Sequence, residues 1–543
     1  MPGDRAAPVS RDEAAQPAPN AGSPTIPERH PSLFEPATLF FAVLLALLGV
    51  IIGLELITRV GITPNSSIIG AIIAIAASRV PLAVLRPFRS VHRQNLLQTA
   101  ISGATFGGAN AIFLPMGVLW LAGVPELVPV MALGAFLGAV IDAAILYVIF
   151  DSRVYPASGL WPSGIATAEC IIAGDQGGRR ARLLALGGVA GGLGQYAGIP
   201  MDVFGICWIG NIWALAMFGL GLLARAYAPY VSAIDLTILN APQGIMIGAG
   251  AVAMVQIVTA IRRGGSESAA GRSFGTSGKQ LGRGIGGGFV AFAIAAAVIA
   301  LAGGVATDMS FLQLAGFVLF AAVAALVSEL IVGIAAMHAG WFPAFATALI
   351  FLMLGMLLGF PAVPLAFLVG FTASTGPAFA DMGYDLKTGW ILRGQGARPD
   401  FERQGRREQF RAELLGIGVA AVVVLALYGS YFSRDLIPPV DRVYVATIAA
   451  GADPGMAKAL ALWAIPGAII QLAGGASRQL GILLATGLLI HNPAAGWTAL
   501  AALLVRAALE RRFGRAAEGP MYVLAGGFIA GSALTSFGSA LKR

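Results

Sequence analysis

The chain has 543 residues, of which 57% are hydrophobic and only 11% charged, with a net charge of +8. A water-soluble chain carries about 25% charged residues because its surface must be solvated, so this composition excludes a soluble globular protein and points to hydrocarbon surroundings. The basic excess would suggest nucleic acid on a soluble domain, but here it sits in short stretches between apolar runs, at 79–93, 179–182, 262–283 and 387–411. That is the distribution of loops held on the cytoplasmic face of a membrane.

Residues 1–35 are rich in Pro, Ala and charge with no apolar h-region, and read as a disordered cytoplasmic tail rather than a cleavable signal. An N-terminal membrane half, 36–261, carries apolar segments near 37–57, 65–83, 96–122, 128–150, 159–173, 183–199, 203–224 and 242–261. A polar cytoplasmic linker, 262–283, divides it from a C-terminal half, 284–543, with segments near 285–305, 311–335, 343–358, 360–373, 413–432, 443–451, 457–473, 479–491, 494–509 and 520–539. The stretch 384–412 reads as a second cytoplasmic break. Without water, every backbone N–H and C=O must be paired internally, and apolar runs of about 20 residues select helices over the short alternating strands of a barrel. Several segments are too short to span at about 1.5 Å per residue, which points to discontinuous or re-entrant helices. The expected fold is an all-α polytopic membrane protein with roughly 14 to 16 spans in two comparable halves, packed through glycine and alanine. The two cysteines, Cys170 and Cys207, lie in or beside apolar segments and define no disulfide framework.

Four places could carry chemistry. In QNLLQTAISG, residues 94–103, Asn95, Gln98, Thr99 and Ser102 fall at i, i+3, i+4 and i+7, one stripe on a helix that must face protein or a watery cavity. Such a stripe suits a peptide-like solute, and equally suits hydrogen bonds between helices. In YPASGLWPSGIATAE, residues 155–169, Pro156, Gly159, Pro162 and Gly164 interrupt a helix. The half-helix after Pro162 would aim N–H groups and its positive dipole end at an anionic group, with Ser163, Gly164 and Thr167 in contact, unless the break serves packing alone. Glu169, two turns in, is a candidate for proton coupling, because an ionisable group inside a membrane segment is costly; the competing reading places it at the interface near Arg179. Glu55, Asp142, Glu329 and His338 are further intramembrane ionisable residues, each more commonly a link between helices. In DMGYDLKTG, residues 381–389, Asp381, Asp385 and Lys387 mark a pathway mouth or a cytoplasmic cap; two carboxylates without a third ligand do not define a metal site.

Enzyme signatures are missing. GTSGKQ, residues 275–280, lacks the first Walker glycine and the Ser/Thr after Lys279; no HExxH occurs; and the glycine runs at 187–194 and 284–289 lie in or beside apolar segments, where small-residue packing accounts for them. No cofactor or metal is expected. A solute carrier is the reading favoured, with a channel and a membrane-embedded enzyme as rivals.

Three motifs resemble the oligopeptide transporter (OPT) family, whose yellow stripe-like branch moves metal chelates. WPSGIATAE, 161–169, looks like the family's P-[SE]-G-T-A-x-A with a following acid; NLLQTAISG, 95–103, looks like N-x-x-Q-T; and DMGYDLKTG looks like D-L-M-Q-D-F-K-T-G. IGAGA at 247–251 and AGGFIAGSAL at 525–534 are weaker echoes, so the likeness runs through nearly all of the chain after the tail. Ile165, Tyr384 and Ser532 depart from the family pattern, which leaves substrate choice open. The resemblance implies a bacterial-type member with about 16 helices, working as a proton-driven symporter of small peptides or peptide-like metal chelates across the inner membrane. It names neither the solute nor the oligomeric state.

Overall fold

A computed structural model describes residues 29–59, 68, 70–72, 75, 79–80, 83–232, 235–262, 275–307, 309–340, 342–451 and 455–542. Residues 1–28, most of the expected segment 65–83 and the middle of the 262–283 linker lie outside these described residues. Every regular element among the described residues is helical. Nine of their helices are long and apolar enough to cross a membrane: Pro36–Arg59, Val91–Leu121, Pro125–Ile149, Ile212–Val231, Gly278–Ala302, Phe311–Ala339, Ala362–Leu392, Pro399–Phe432 and Met456–Arg478. Shorter helices, among them Pro162–Gln176, Ala344–Leu357 and Leu480–Leu489, fill in between. The chain is therefore the all-α polytopic protein that its composition demands.

Burial separates a centre from a rim. The apolar windows of Val91–Leu121 and Ala362–Leu392 are 83% and 89% buried, against 33% for Gly278–Ala302 and 22% for Met456–Arg478. On the latter helix Leu462, Ile465, Ile469 and Leu472 are exposed at three- and four-residue spacing, the stripe expected of a lipid-facing surface. The central helices carry the polar residues.

The central helices are also the interrupted ones. Pro115 cannot donate to Ala111, four residues back, and the preceding stretch Phe106–Phe113 is wound loosely as a π-helix. Ala362–Ser374 ends at Gly376, whose φ of 107° lies in a region closed to most side chains, and Pro377–Leu392 restarts behind it. Residues 150–161 are non-helical, and Pro162–Gln176 begins behind Trp161, held at φ 41°. Trp161 is fully buried; its N–H donates to the Met337 carbonyl at 2.9 Å and its indole N–H to the Pro156 carbonyl at 3.3 Å.

One expectation is corrected. The 384–412 stretch, expected as a break between segments, is the end of Pro377–Leu392 and the start of Pro399–Phe432, joined at 393–398. Part of its charge is buried because the groups satisfy one another: Arg393, 1% exposed, donates to the Glu402 carboxylate from Nε at 2.8 Å and from Nη2 at 3.0 Å, while Asp400 and Arg403 are exposed. Similarly, the Gly278–Ala302 helix begins within the stretch expected as linker.

The end of the expected tail is docked on Pro399–Phe432 and the start of Val91–Leu121. The Glu408 carboxylate accepts from the Leu33 N–H at 2.8 Å and the Ser32 hydroxyl at 3.1 Å, and Arg93 meets Glu35 at 2.7 Å. The His30 ring stacks against His92 and Phe401 with centroids 5.3 and 5.2 Å away. Burial, and then the Arg393 guanidinium, push the His30 imidazole from 6.5 down to about 3. The docked ring is thus neutral where a released ring would be protonated. Its contribution to docking is complete above pH 6.5 and is lost as pH falls from there toward 3, by about tenfold per pH unit. Amide exchange at 29–35, corrected for intrinsic rates, is expected to speed up between about pH 7 and about pH 5, and His30→Phe to remove that dependence.

At the rim, Gly178–Tyr196 and Glu518–Lys542 touch backbone to backbone. A Cβ on Gly187 would lie 2.6 Å from the Leu524 carbonyl, whereas one on Gly188 would find its nearest neighbour, the Gly527 carbonyl, at 4.0 Å. Gly187→Val is expected to lower stability by about 1–3 kcal/mol in a detergent thermal-shift measurement, and Gly188→Ala to leave it unchanged.

Candidate functional site

A seam of polar groups runs where Val91–Leu121, Pro377–Leu392 and Pro399–Phe432 meet. The first helix offers the stripe Asn95, Gln98, Thr99 and Ser102, all buried. Gln98 Nε2 donates to Asp385 Oδ1 at 2.6 Å and Ser102 Oγ to Asp381 Oδ1 at 2.6 Å, while Asn95 Nδ2 donates to Gln98 Oε1 at 3.0 Å. Asp381 and Asp385, four residues apart, face the stripe one turn from each other, so the two helices are zipped by matched pairs.

The third helix closes the seam. Gln409 Nε2 donates to the Asp385 carbonyl at 2.6 Å and to Thr99 Oγ1 at 3.3 Å, and its Oε1 accepts from Arg393 Nη1 at 2.6 Å. One turn further on, Glu413 is completely buried, and neither of its carboxylate oxygens meets a hydrogen-bond donor. It fits because residue 103 is glycine: a Cβ there would lie 2.7 Å from Glu413 Oε2. One oxygen each from Asp381, Asp385 and Glu413 lie within 4.8 Å of one another. Two like charges about 4 Å apart repel by about 4 kcal/mol at the effective dielectric of a protein site, so the trio requires neutralisation by protons or by a cation. Among the described residues, these three could hold a metal.

The half-helix Pro162–Gln176 packs on the other side of Pro377–Leu392. Thr388 Oγ1 donates to the Gly164 carbonyl at 3.0 Å, and a Cβ on Gly164 would lie 2.5 Å from the Tyr384 carbonyl, so glycine permits the close approach. Ser163 is buried; the Thr167 hydroxyl donates to the Ser163 carbonyl at 2.9 Å. Lys387 is buried too, with Nζ donating to the Ala157 carbonyl at 2.9 Å and lying 4.5 Å from the Trp390 ring centroid. The basic side chain is thereby tied to the non-helical segment before the half-helix.

Thus Asn95, Gln98, Thr99, Asp381 and Asp385 come together in one seam, and Ser163, Gly164 and Lys387 adjoin it through Pro377–Leu392. Glu169 stands apart. It pairs with Arg180 at 2.8 Å, its side chain 12% exposed. Of the other intramembrane residues, Glu55 pairs with Arg59 and accepts from the Tyr431 hydroxyl at 2.7 Å, a link from Pro36–Arg59 to Pro399–Phe432, and His338 contacts the Ile334 carbonyl at 3.0 Å, a local tie. Asp142 accepts from the Gly376 and Phe379 N–H groups, capping the restarted helix behind Gly376. Gln409, Arg393 and Glu402 escaped sequence reading because 384–412 reads as a cytoplasmic break, and Glu413 because it stands at the very start of the next apolar segment. The signal available was the four-residue spacing of Gln409 and Glu413, which puts both on one helical face.

Interrupted helices around a buried polar seam, ringed by lipid-facing apolar stripes, define a polytopic membrane transporter. A family model, described as OPT oligopeptide transporter protein, matches residues 36–281 and 266–542, and the chain belongs to that family. It is accordingly a transporter and not an enzyme. No curated protein matches the chain.

Removing Arg393 would strip buried Glu402 of one of its two guanidinium partners, Arg406 Nε at 2.8 Å being the other, and would leave Gln409 Oε1 without its donor. Arg393→Ala is expected to destabilise by about 3–5 kcal/mol in a thermal-shift assay of the purified protein. Arg403→Ala, which breaks an exposed pair with Asp400, is expected to leave the melting temperature essentially unchanged.

Proposed function

We propose that this OPT-family chain is a proton-coupled symporter of small peptides or peptide-like metal chelates in the inner membrane. The observation that carries this reading is the meeting of the half-helix Pro162–Gln176 with Pro377–Leu392 at Gly164 and Thr388, beside a seam of amides, hydroxyls and carboxylates. A peptide backbone presents the donors and acceptors that Asn95, Gln98 and Thr99 could exchange for their present partners. A solute carboxylate matches the positive dipole end at Ser163 and Gly164. Asp381, Asp385 and Lys387 would then line the route past the seam. Tight packing at this junction suits alternating access, in which helices part on one side at a time.

Glu169 serves coupling through its pair with Arg180. A proton taken up by the carboxyl breaks the pair and frees the start of Gly178–Tyr196 to move relative to the half-helix; release of the proton restores it. The test is uptake by proteoliposomes under an imposed pH gradient, screened with di- to tetrapeptides, glutathione and iron chelates. The wild type is expected to accumulate a solute against its gradient with saturable kinetics. Glu169→Gln is expected to lose on the order of tenfold in gradient-driven uptake while retaining exchange without a gradient. Unchanged proton dependence in that variant would remove Glu169 from coupling; flux that never saturates would replace the carrier with a channel.

A further inference from the structure

We propose that Asp381, Asp385 and Glu413 bind one hard, oxygen-seeking cation of Ca2+ or Na+ size at the centre of the helix bundle. The donor set is entirely carboxylate oxygen, which suits alkali and alkaline-earth ions and offers nothing to a soft metal. The spacing fits as it stands. An ion bound at about 2.3–2.6 Å can touch two oxygens up to about 5 Å apart, and one oxygen from each carboxylate lies within 4.8 Å of the others.

Glu413 supplies the independent sign of a ligand. Its two oxygens are fully buried, receive no hydrogen bond, and point into space that Gly103 leaves open. The charged groups that face it are Asp381 and Asp385, both acidic. Arg393, the guanidinium nearest along the seam, is engaged by Glu402 and Gln409. A buried carboxylate with no donor and two acidic neighbours has the environment of a metal ligand awaiting its ion. Ser102 and Gln98 already hold one oxygen each of Asp381 and Asp385, the orienting role that outer partners play around bound metals. A cation here would join Pro377–Leu392 to Pro399–Phe432 through one charge, with Val91–Leu121 attached through Ser102 and Gln98. The inference stands on these carboxylates alone and does not depend on the proton-coupled reading.

The experiment uses the full-length protein, purified in detergent and stripped with chelator, and measures equilibrium binding of radioactive 45Ca2+ and 22Na+ by scintillation proximity. Saturable binding near one ion per chain, for one of the two ions, is expected, with Mg2+ a poor competitor because it demands shorter contacts. Glu413→Gln, close in shape and uncharged, is expected to weaken binding by more than about tenfold. Should that variant not survive purification, Asp381→Asn is measured in the same way with the same expectation. Absence of saturable binding of either ion to the wild type, or binding unchanged in these variants, overturns the site. Binding intact without proton-driven uptake would count against the transport reading alone, and uptake intact without binding against the cation site alone.

Discussion

In hydrocarbon, a polar group has no solvent to fall back on, and the whole architecture follows from where this chain places the groups that must be paired within protein. Most backbone groups are satisfied inside helices. A large group of buried polar side chains is gathered where Val91–Leu121, Pro377–Leu392 and Pro399–Phe432 meet. There Gln98 is matched to Asp385, Ser102 to Asp381, and Gln409 to Thr99 and Arg393. Together these bonds draw the three helices to one axis, so the seam sets which helices are central. The others surround it with outward-facing leucine and isoleucine.

The second structural theme is interruption. At Trp161 and Gly376 the backbone enters the left-handed region, and a proline starts the next helix in each case. A helix that restarts inside a membrane protein exposes N–H groups with no partner in the preceding turn. Asp142 satisfies those behind Gly376, and the Trp161 and Gly164 carbonyls engage Ile165 N–H and Thr388 Oγ1 around the other restart. These ends are points where backbone polarity is available near the seam without a permanently open cavity. An alternating-access carrier needs such points, and the family to which the chain belongs is one of transporters.

Rim and centre are held together differently. At the rim, glycines bring backbones into contact, as between Gly178–Tyr196 and Glu518–Lys542, where Gly187 meets Leu524 and Gly527 meets Leu184. Such contacts depend on shape and dispersion and have little latitude. At the centre the contacts are hydrogen bonds and carboxylates, whose partners a solute, proton or cation can replace. The chemistry that can change with a ligand is therefore concentrated on the three helices that carry the seam.

Composition and run length by themselves determined an all-helical membrane protein, because a chain with so little charge has no aqueous surface to fold behind and long apolar runs pair their own backbones only as helices. Periodicity likewise determined that Asn95, Gln98, Thr99 and Ser102 share a face, and proline and glycine spacing that a helix breaks near Pro162. Only the tertiary structure decided what those residues face. Hydropathy counts a charge as a sign of solvent, yet Arg393, Glu402 and Lys387 are buried because their partners lie within reach, and a one-dimensional reading has no means of seeing a partner. For the same reason Glu413 became visible as a third carboxylate beside Asp381 and Asp385 only when two helices far apart in sequence were laid side by side, and Glu169 became separable from that cluster by its bond to Arg180.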